Sequence, residues 1–327
     1  MSASQQYYIG IDLGGTKILA AVVDETGKIH GRAKRKTVPA KMEGDPPLIA
    51  DRIARTAREA MEEAGLVPEE IAAIGASAPG PVDIQKGRVY RAVNLPNWEK
   101  PYDLGPELQK RLGRPVVVDN DVNVGTLGEA TYGAARGFDD VIGIFVGTGI
   151  GGGVILDGKL RRGFRWAAGE IGHMVMHCHD ELSDVESFAS RGAISRRLEE
   201  ALAQGKAKKL AQVLAKRQDR RITSGVIRRA LKAGDSATQE AVAEAQHILG
   251  LLIVSVVNLL DPQCIVLGGG LVESLGESFV EPIRSFARSH FFLQEGADRI
   301  QIVQAELGDD AGVLGAAVLA QTMLARE

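Results

Sequence analysis

The sequence predicts an α/β protein built from two similar lobes, and three observations carry that reading. Apolar, alternating stretches suited to strands interleave with stretches of helical spacing. An opening of apolar strand, glycine-rich tip and returning strand occurs at Tyr7 and recurs at Val141. The 327 residues suffice for two ordinary domains, each able to bury a core without disulfides or structural metal.

Taken in order, YYIGID at 7–12 is a strand, LGGTK turns, ILAAVVD returns, and after ETGK the alternating IHGRAKRKTV adds a third, more exposed strand. Three short strands joined by tight turns make an antiparallel meander. Between Pro47 and Gly65, the apolar residues Leu48, Ile49, Ile53, Ala57 and Met61 recur at helical spacing. IAAIGASAPG runs as a strand into a Gly/Pro turn, and LGPELQKRLG is a short helix stopped by Gly113. PVVVDNDVN is a strand with carboxylates and amides at its tip, followed by the helix VGTLGEATYGAA. The meander pattern then restarts as VIGIFV, GTGIGGG and VILDGKL. Helices are expected from about Glu186 to Leu260, with KAKKLAQVLAKRQDRR as a solvated basic stretch. QCIVLGGG is a strand, LVESLGESFVEPIRSFARSHFF one helix, RIQIVQAEL a strand, and DDAGVLGAAVLAQTMLARE a terminal helix. The expected lobes are residues 1–123, completed by the helix at 310–327, and residues 124–309.

Lys plus Arg number 39 against 42 Asp plus Glu, so no basic field attracts nucleic acid. The run ILGLLIVSVVNLL is shorter than the about 18–20 apolar residues that span a bilayer; it is read as core, and no membrane partner is expected. Cys178 and Cys264, with no apolar leader ahead of them, fit a reducing cytoplasm.

The 39 glycines concentrate at predicted strand ends: Gly14 and Gly15, Gly147 to Gly153, and Gly268 to Gly270. Without a side chain, backbone N–H groups can cradle phosphate oxygens, and three such tips point to a polyphosphate ligand; each cluster alone is equally a plain turn. Two familiar patterns fail on context. Gly147, Gly149 and Gly152 spell GxGxxG, but a strand follows where a dinucleotide site needs a helix. GVILDGK fits GxxxxGK, but Leu160 stands where the Ser or Thr of a P-loop belongs.

Asp12, at a buried strand tip before the first glycines, suits Mg²⁺ held directly or through water; a turn-forming Asp reads the same way. Thr16 and Lys17 can meet phosphate oxygens. Asp119, Asn120, Asp121 and Asn123 suit a general base flanked by amides that fix an alcohol, while one of them suits a helix N-cap. Glu170 and His173, three apart, suit vicinal hydroxyls, or form a surface pair. His173, His177, Cys178 and His179 resemble a metal cluster, but adjacent residues cannot all converge on one ion without severe bending.

Together, IGIDLGGTK, ASAPGPVD, NLPNW, VDNDVN, FVGTGIGGG, GEIGH, ESFASRGAI and VLGGG resemble, over nearly the whole chain, the ROK family of sugar kinases and especially its bacterial ATP-dependent glucokinases. The resemblance implies a duplicated actin-like ATPase (ribonuclease-H-like) fold with a central cleft. It implies Asp121 as the base that takes the proton of a hexose 6-hydroxyl attacking the γ-phosphate of MgATP. Asn94, Asn120, Glu170, His173 and Glu186 would hold the ring hydroxyls, with Gly80 in the same sugar-side series. Asp12, Gly14, Gly15, Thr16, Lys17, Thr148 and Gly149 would line the phosphates, Asp12 facing the magnesium, and Gly269 and Gly270 would lie near the adenosine. Glucose is the expected sugar; fructose, mannose, N-acetylglucosamine or N-acetylmannosamine are the alternatives, as is polyphosphate as donor. A homodimer is implied. The family's repressors carry a helix-turn-helix ahead of the kinase-like part, for which a first strand at Tyr7 leaves no room. A chaperone-like or filament ATPase would lack the sugar-side series. The family also places a zinc loop, CxCGxxGCxE, before the last glutamate; here the stretch is short, has only Cys178, and puts Val185 in the last cysteine's place, so structural zinc is not expected and His173 needs another hydrogen bond to orient it.

Overall fold

The computed structural model describes residues 5–38, 45–92, 95–178 and 180–325. Its first sheet opens with β1 (Tyr7–Leu13), β2 (Lys17–Asp24) and β3 (Ile29–Lys36), an antiparallel meander. Helix α1 (Pro46–Ala64) is capped by Asp45, which accepts the Leu48 N–H at 2.8 Å, and ends where Gly65 turns left-handed. Strand β4 (Ile71–Ala78) pairs parallel to β1. After the two-residue strands β5 (Val82–Asp83) and β6 (Arg88–Val89) come α2 (Leu104–Leu112), β7 (Val116–Asn120), parallel to β4, and α3 (Asp121–Tyr132). The strand order is β3-β2-β1-β4-β7.

The second sheet repeats the plan. Its strands are β8 (Val141–Val146), β9 (Ile150–Leu156) and β10 (Lys159–Leu160), then, after an excursion, β13 (Cys264–Gly268) and β14 (Gln301–Gln304), in the order β10-β9-β8-β13-β14. A meander followed by two parallel strands thus occurs twice, as expected of the duplicated α/β fold. The excursion holds a hairpin, β11 (Val175–Cys178) and β12 (Glu181–Asp184), then α4 (Val185–Ala189), α5 (Arg191–Ala203), α6 (Lys208–Ala215), α7 (Ser224–Lys232) and α8 (Ser236–Leu260). Helices α9 (Gly270–Leu275), α10 (Glu277–Ser289) and α11 (Asp310–Leu324) complete the chain.

Two compact units result: Met1–Gly137 with Gly153–Ala168 and Asp309–Glu327, and Phe138–Gly152 with Gly169–Gly308. The boundary expected after residue 123 would cut α3. That helix stays in the first unit because glycines let backbones touch: a Cβ at Gly128 would meet the Ala311 carbonyl at 2.5 Å, and one at Gly315 would overlap the Val124 carbonyl. Gly10 on β1 and Gly75 on β4 lie equally hard against the Val313 and Ala316 carbonyls of α11.

Other expectations need correction. The strand through VVVDN stops at Asn120, because that residue caps α3. LVESLGESFVEPIRSF is two helices, broken where Gly276 takes φ 65°. KKLAQVLA is a helix that buries Leu210 and Leu214, and buried Asp235 accepts the Lys209 and Leu210 N–H groups at 3.1 Å while capping α8 through Thr238. Helix α8 is long and apolar, but it packs on α10, α4 and α5 and buries Ile248, Leu249, Leu252 and Ile253. It is a core helix.

Candidate active site

In the first unit the parallel strands bring chemistry into register. Asp12 on β1 sits opposite Ser77 on β4, and Ser77 opposite Asp119 on β7, so the carboxyl ends of three adjacent strands carry one polar row. Ends of parallel strands are where ligands bind in such sheets. Ser77 Oγ donates to Asp12 Oδ1 at 2.7 Å, and Gly312 of α11 closes the other side of the carboxyl. Burial pushes the Asp12 carboxyl up, opposed by the Ser77 hydroxyl and the Lys17 ammonium and reinforced by Asp309. A nearby cation would favour its charged form, so Asp12 fits the magnesium that accompanies a nucleotide.

The turn after β1 is held from below. The Gly14 N–H donates to the Lys17 carbonyl at 2.9 Å, and buried Thr37 gives its hydroxyl to the Gly14 carbonyl at 2.6 Å. Gly15 and Thr16 are exposed at the tip. Lys17 pairs with Asp309 at 2.6 Å rather than standing alone.

At the tip of β7, the Asn120 side chain accepts the Val122 and Asn123 N–H groups at 2.9 and 3.1 Å and donates to the Gly80 carbonyl at 3.1 Å. Gly80 has φ 87°, and a Cβ there would overlap the Arg91 carbonyl, so only glycine fits. The cap and the Gly80 turn therefore fix each other. Asp121 is the first residue of α3, where the helix end presents positive partial charge. Beneath it, Asp119 is 1% exposed; it accepts the Asn120 N–H at 2.8 Å, the Asn123 amide at 3.3 Å and Arg162 Nε at 2.7 Å.

In the second unit the turn between β8 and β9 is Gly147–Thr148–Gly149. The run GIGGG was expected to be part of a phosphate tip, but β9 begins at Ile150, and its glycines admit neighbours. A Cβ at Gly152 would meet the Gly169 carbonyl and Ile171 at 2.5 Å, and one at Gly172 would overlap the Ile150 carbonyl. GEIGH is thereby laid against β9. Glu170 precedes a 3-10 turn, Ile171–His173, and the His173 N–H donates to its carbonyl at 3.1 Å. Glu186, on α4, accepts the Ile150 N–H at 2.7 Å, and a Cβ at Gly149 would collide with its carboxylate. Arg191 reaches Thr148 Oγ1, and the Gly192 N–H donates to the Thr148 carbonyl at 3.3 Å. Gly269, at φ 86°, lies against the backbone of Val146, and Gly270 opens α9.

Each unit thus assembles its share of the expected residues, while Asn94 and His179 lie outside the described residues. Ser77, Thr37, Arg162, Asp184, Arg191 and Gly312 were not singled out from sequence. His177 and Cys178 are successive residues of β11, so their side chains leave opposite faces. Burial and Glu244 push the Cys178 thiol up. Among the described residues no three His, Cys, Asp or Glu side chains form a metal-holding group. His177 and Cys178, on opposite faces of one strand, do not turn toward one ion together.

A family model described as "ROK family" matches residues 8–323. The chain is 31% identical to a glucokinase of Halalkalibacterium halodurans over 95% of this chain and 94% of that one. It is 33% identical to a glucokinase of Streptomyces coelicolor, over 96% and 97%. The crystal structure of a ROK family glucokinase from Streptomyces griseus in complex with glucose and AMPPNP superposes with a TM-score of 0.79 at 34% identity, covering 97% of this chain and 99% of that one. Motif order, duplicated sheets and these likenesses agree, and the chain belongs to the ROK family.

Proposed function

We propose that this chain is an ATP-dependent glucokinase, transferring the γ-phosphoryl group of MgATP to the 6-hydroxyl of glucose to give glucose 6-phosphate and ADP. The observation that carries the reading is the in-register row of Asp12, Ser77 and Asp119 leading into Asn120 and Asp121, in a chain similar to glucokinases along nearly its whole length. The glucose- and AMPPNP-bound neighbour supports glucose over fructose, mannose or N-acetylated hexoses, and ATP over polyphosphate.

Phosphoryl transfer is mainly positioning and charge neutralisation. Asp121 accepts the proton of the 6-hydroxyl as that oxygen forms its bond to phosphorus and the bond to the ADP oxygen breaks. Asn120, Asn94, Glu170, His173 and Glu186 hold the sugar hydroxyls, with Gly80 shaping the same side. Gly14, Gly15, Thr16, Lys17, Thr148 and Gly149 face the phosphates, and Gly269 and Gly270 the adenosine. Asp12 holds the nucleotide's magnesium, which when bound offsets phosphate charge. A homodimer in the cytoplasm belongs to the same reading; family resemblance supports the first, and the thiols Cys178 and Cys264 fit the second.

The test is Asp121→Asn. Turnover in a coupled ADP-release assay should fall by about 10²- to 10⁴-fold while calorimetric glucose binding persists. Near-normal turnover removes Asp121 as the base.

A further inference from the structure

We propose that Asp184 is the positioning residue for His173, fixing the imidazole with its proton on Nδ1 so that Nε2 accepts a hydrogen bond from a substrate hydroxyl. The proposal deepens the glucokinase reading and rests on it for the identity of that hydroxyl's owner.

His173 ends a single 3-10 turn, and its side chain is 60% exposed, so packing alone does not hold the ring. The chain then enters the β11–β12 hairpin, whose register pairs Val175 with Asp184. The hairpin's last residue therefore returns beside its first, next to His173. Its closure is sealed by the Val185 N–H donating to the Met174 carbonyl at 3.0 Å. The short stretch forms a hairpin that brings a carboxylate back beside His173.

Asp184 is fixed independently of the histidine. It caps α4, Oδ1 accepting the Ser187 N–H at 2.8 Å, which leaves Oδ2 facing His173 Nδ1 at 3.3 Å. Burial raises this carboxyl, but the bonds from Ser187 and His173 outweigh it and hold the group below the usual carboxylate range. An ionised carboxylate only accepts, so Nδ1 must be the donor. The neutral ring then has one remaining site, Nε2, and it is an acceptor. Second-partner bonds of this kind select the tautomer of a functional histidine.

The experiment reads the tautomer directly. Nitrogen-15 spectra of the ligand-free protein, recorded where imidazoles are neutral and assigned with His173→Gln, should show His173 in the Nδ1–H form. Asp184→Ser keeps an N-cap hydroxyl for α4 but cannot reach the ring. It should return His173 to the Nε2–H form favoured by a free imidazole and raise the glucose KM about three- to tenfold, the worth of one hydrogen bond, with kcat and the ATP KM within about twofold. Asp184→Asn, with Oδ1 still capping α4, turns a donating amide toward Nδ1, so it should likewise move His173 to the Nε2–H form and raise the glucose KM. A wild-type ring in the Nε2–H form, or a serine or asparagine variant with unchanged tautomer and glucose KM, overturns the proposal. Should the serine variant fail to fold, the wild-type and Asn spectra decide the matter. The spectra need no turnover, so an Nδ1–H ring in a protein without kinase activity would refute the glucokinase reading and leave the pair intact.

Discussion

Gly312, in the first turn of α11, makes the contact that shapes the Asp12 carboxyl, and adding one methyl group there tests whether that carboxyl is positioned or merely present. A Cβ at Gly312 would stand 2.7 Å from Asp12 Cγ, 2.9 Å from its Cβ and 3.0 Å from Oδ1, where ordinary contact begins at 3.4 Å. Asp12 must therefore retreat by about 0.7 Å, the difference between 3.4 and 2.7 Å, in an interior with no slack to absorb it. The helix cannot yield instead, because the carbonyls of Val313 and Ala316 already press on Gly10 and Gly75, and Gly315 on α3. The side chain moves, and with it the Ser77 hydrogen bond. A misplacement of about 1 Å costs about 10²-fold in rate, so Gly312→Ala should lower kcat/KM for MgATP by about 10- to 50-fold. Ala gains up to about 1 kcal/mol of helix propensity over Gly, which offsets part of the overpacking, so the melting temperature should change little. Coupled ADP release at saturating glucose, with thermal unfolding alongside, is the assay. Gly225→Ala is the control, since its added Cβ meets nothing nearer than Thr223 Oγ1 at 3.9 Å, and it should leave activity unchanged. Unchanged kcat/KM in Gly312→Ala, or activity lost only in proportion to folded protein lost, refutes the positioning argument.

The Arg162–Asp119 pair joins a half-buried guanidinium to a buried carboxylate, with side chains 15% and 2% exposed. Arg162→Met should destabilise the fold by about 3–5 kcal/mol in urea titration by leaving a buried carboxylate without its cation, and Arg162→Met with Asp119→Asn should recover most of it; a single-variant loss below about 1 kcal/mol would show that the pair is not what holds the β7 tip. Asp24 is a different case: burial raises its carboxyl, but bonds from His30, Thr26 and Lys28 outweigh this and hold it far below the ordinary carboxylate range. A depressed folded pKa stabilises above the unfolded value of about 3.9, and the contribution is lost as pH falls below it, so Asp24→Asn should flatten acid unfolding there while changing stability at neutral pH by a constant amount; an unchanged acid limb would rule the group out.

Strands were legible because alternation and tight turns are local, and both meanders stand where the apolar runs place them. The glycines were legible as a class but not by role. Gly14 and Gly149 sit in turns, whereas Gly152 and Gly172 serve the approach of GEIGH to β9, and Gly10, Gly75, Gly128 and Gly315 serve α11. A strand glycine that admits a distant backbone looks, in sequence, the same as one that admits a phosphate. The β11–β12 hairpin is not legible in sequence because VMHC and ELSD lack a β-branched run, and their pairing is what gives them a shape. Asp119 and Arg162 are separated by 43 residues, so no spacing rule links them. Ser77 joins Asp12 only through parallel register across 65 residues.

Glu186 shows how far a residue's expected role and its observed contacts diverge without contradiction. Its motif places it among the sugar-holding side chains, and its Oε2 is committed to the Ile150 N–H, immediately after the Thr148–Gly149 turn. A carboxylate has about four lone-pair positions on two oxygens, so one backbone bond leaves capacity for a sugar hydroxyl. Drawing that carboxylate toward a hydroxyl pulls on the turn through Ile150, and Gly149 has no Cβ because the carboxylate occupies its place. Thr148 is held from the other side by Arg191 and Gly192, so the turn is tied to both α4 and α5. Under the glucokinase reading, one side chain would both meet the sugar and shape the turn beside the phosphates.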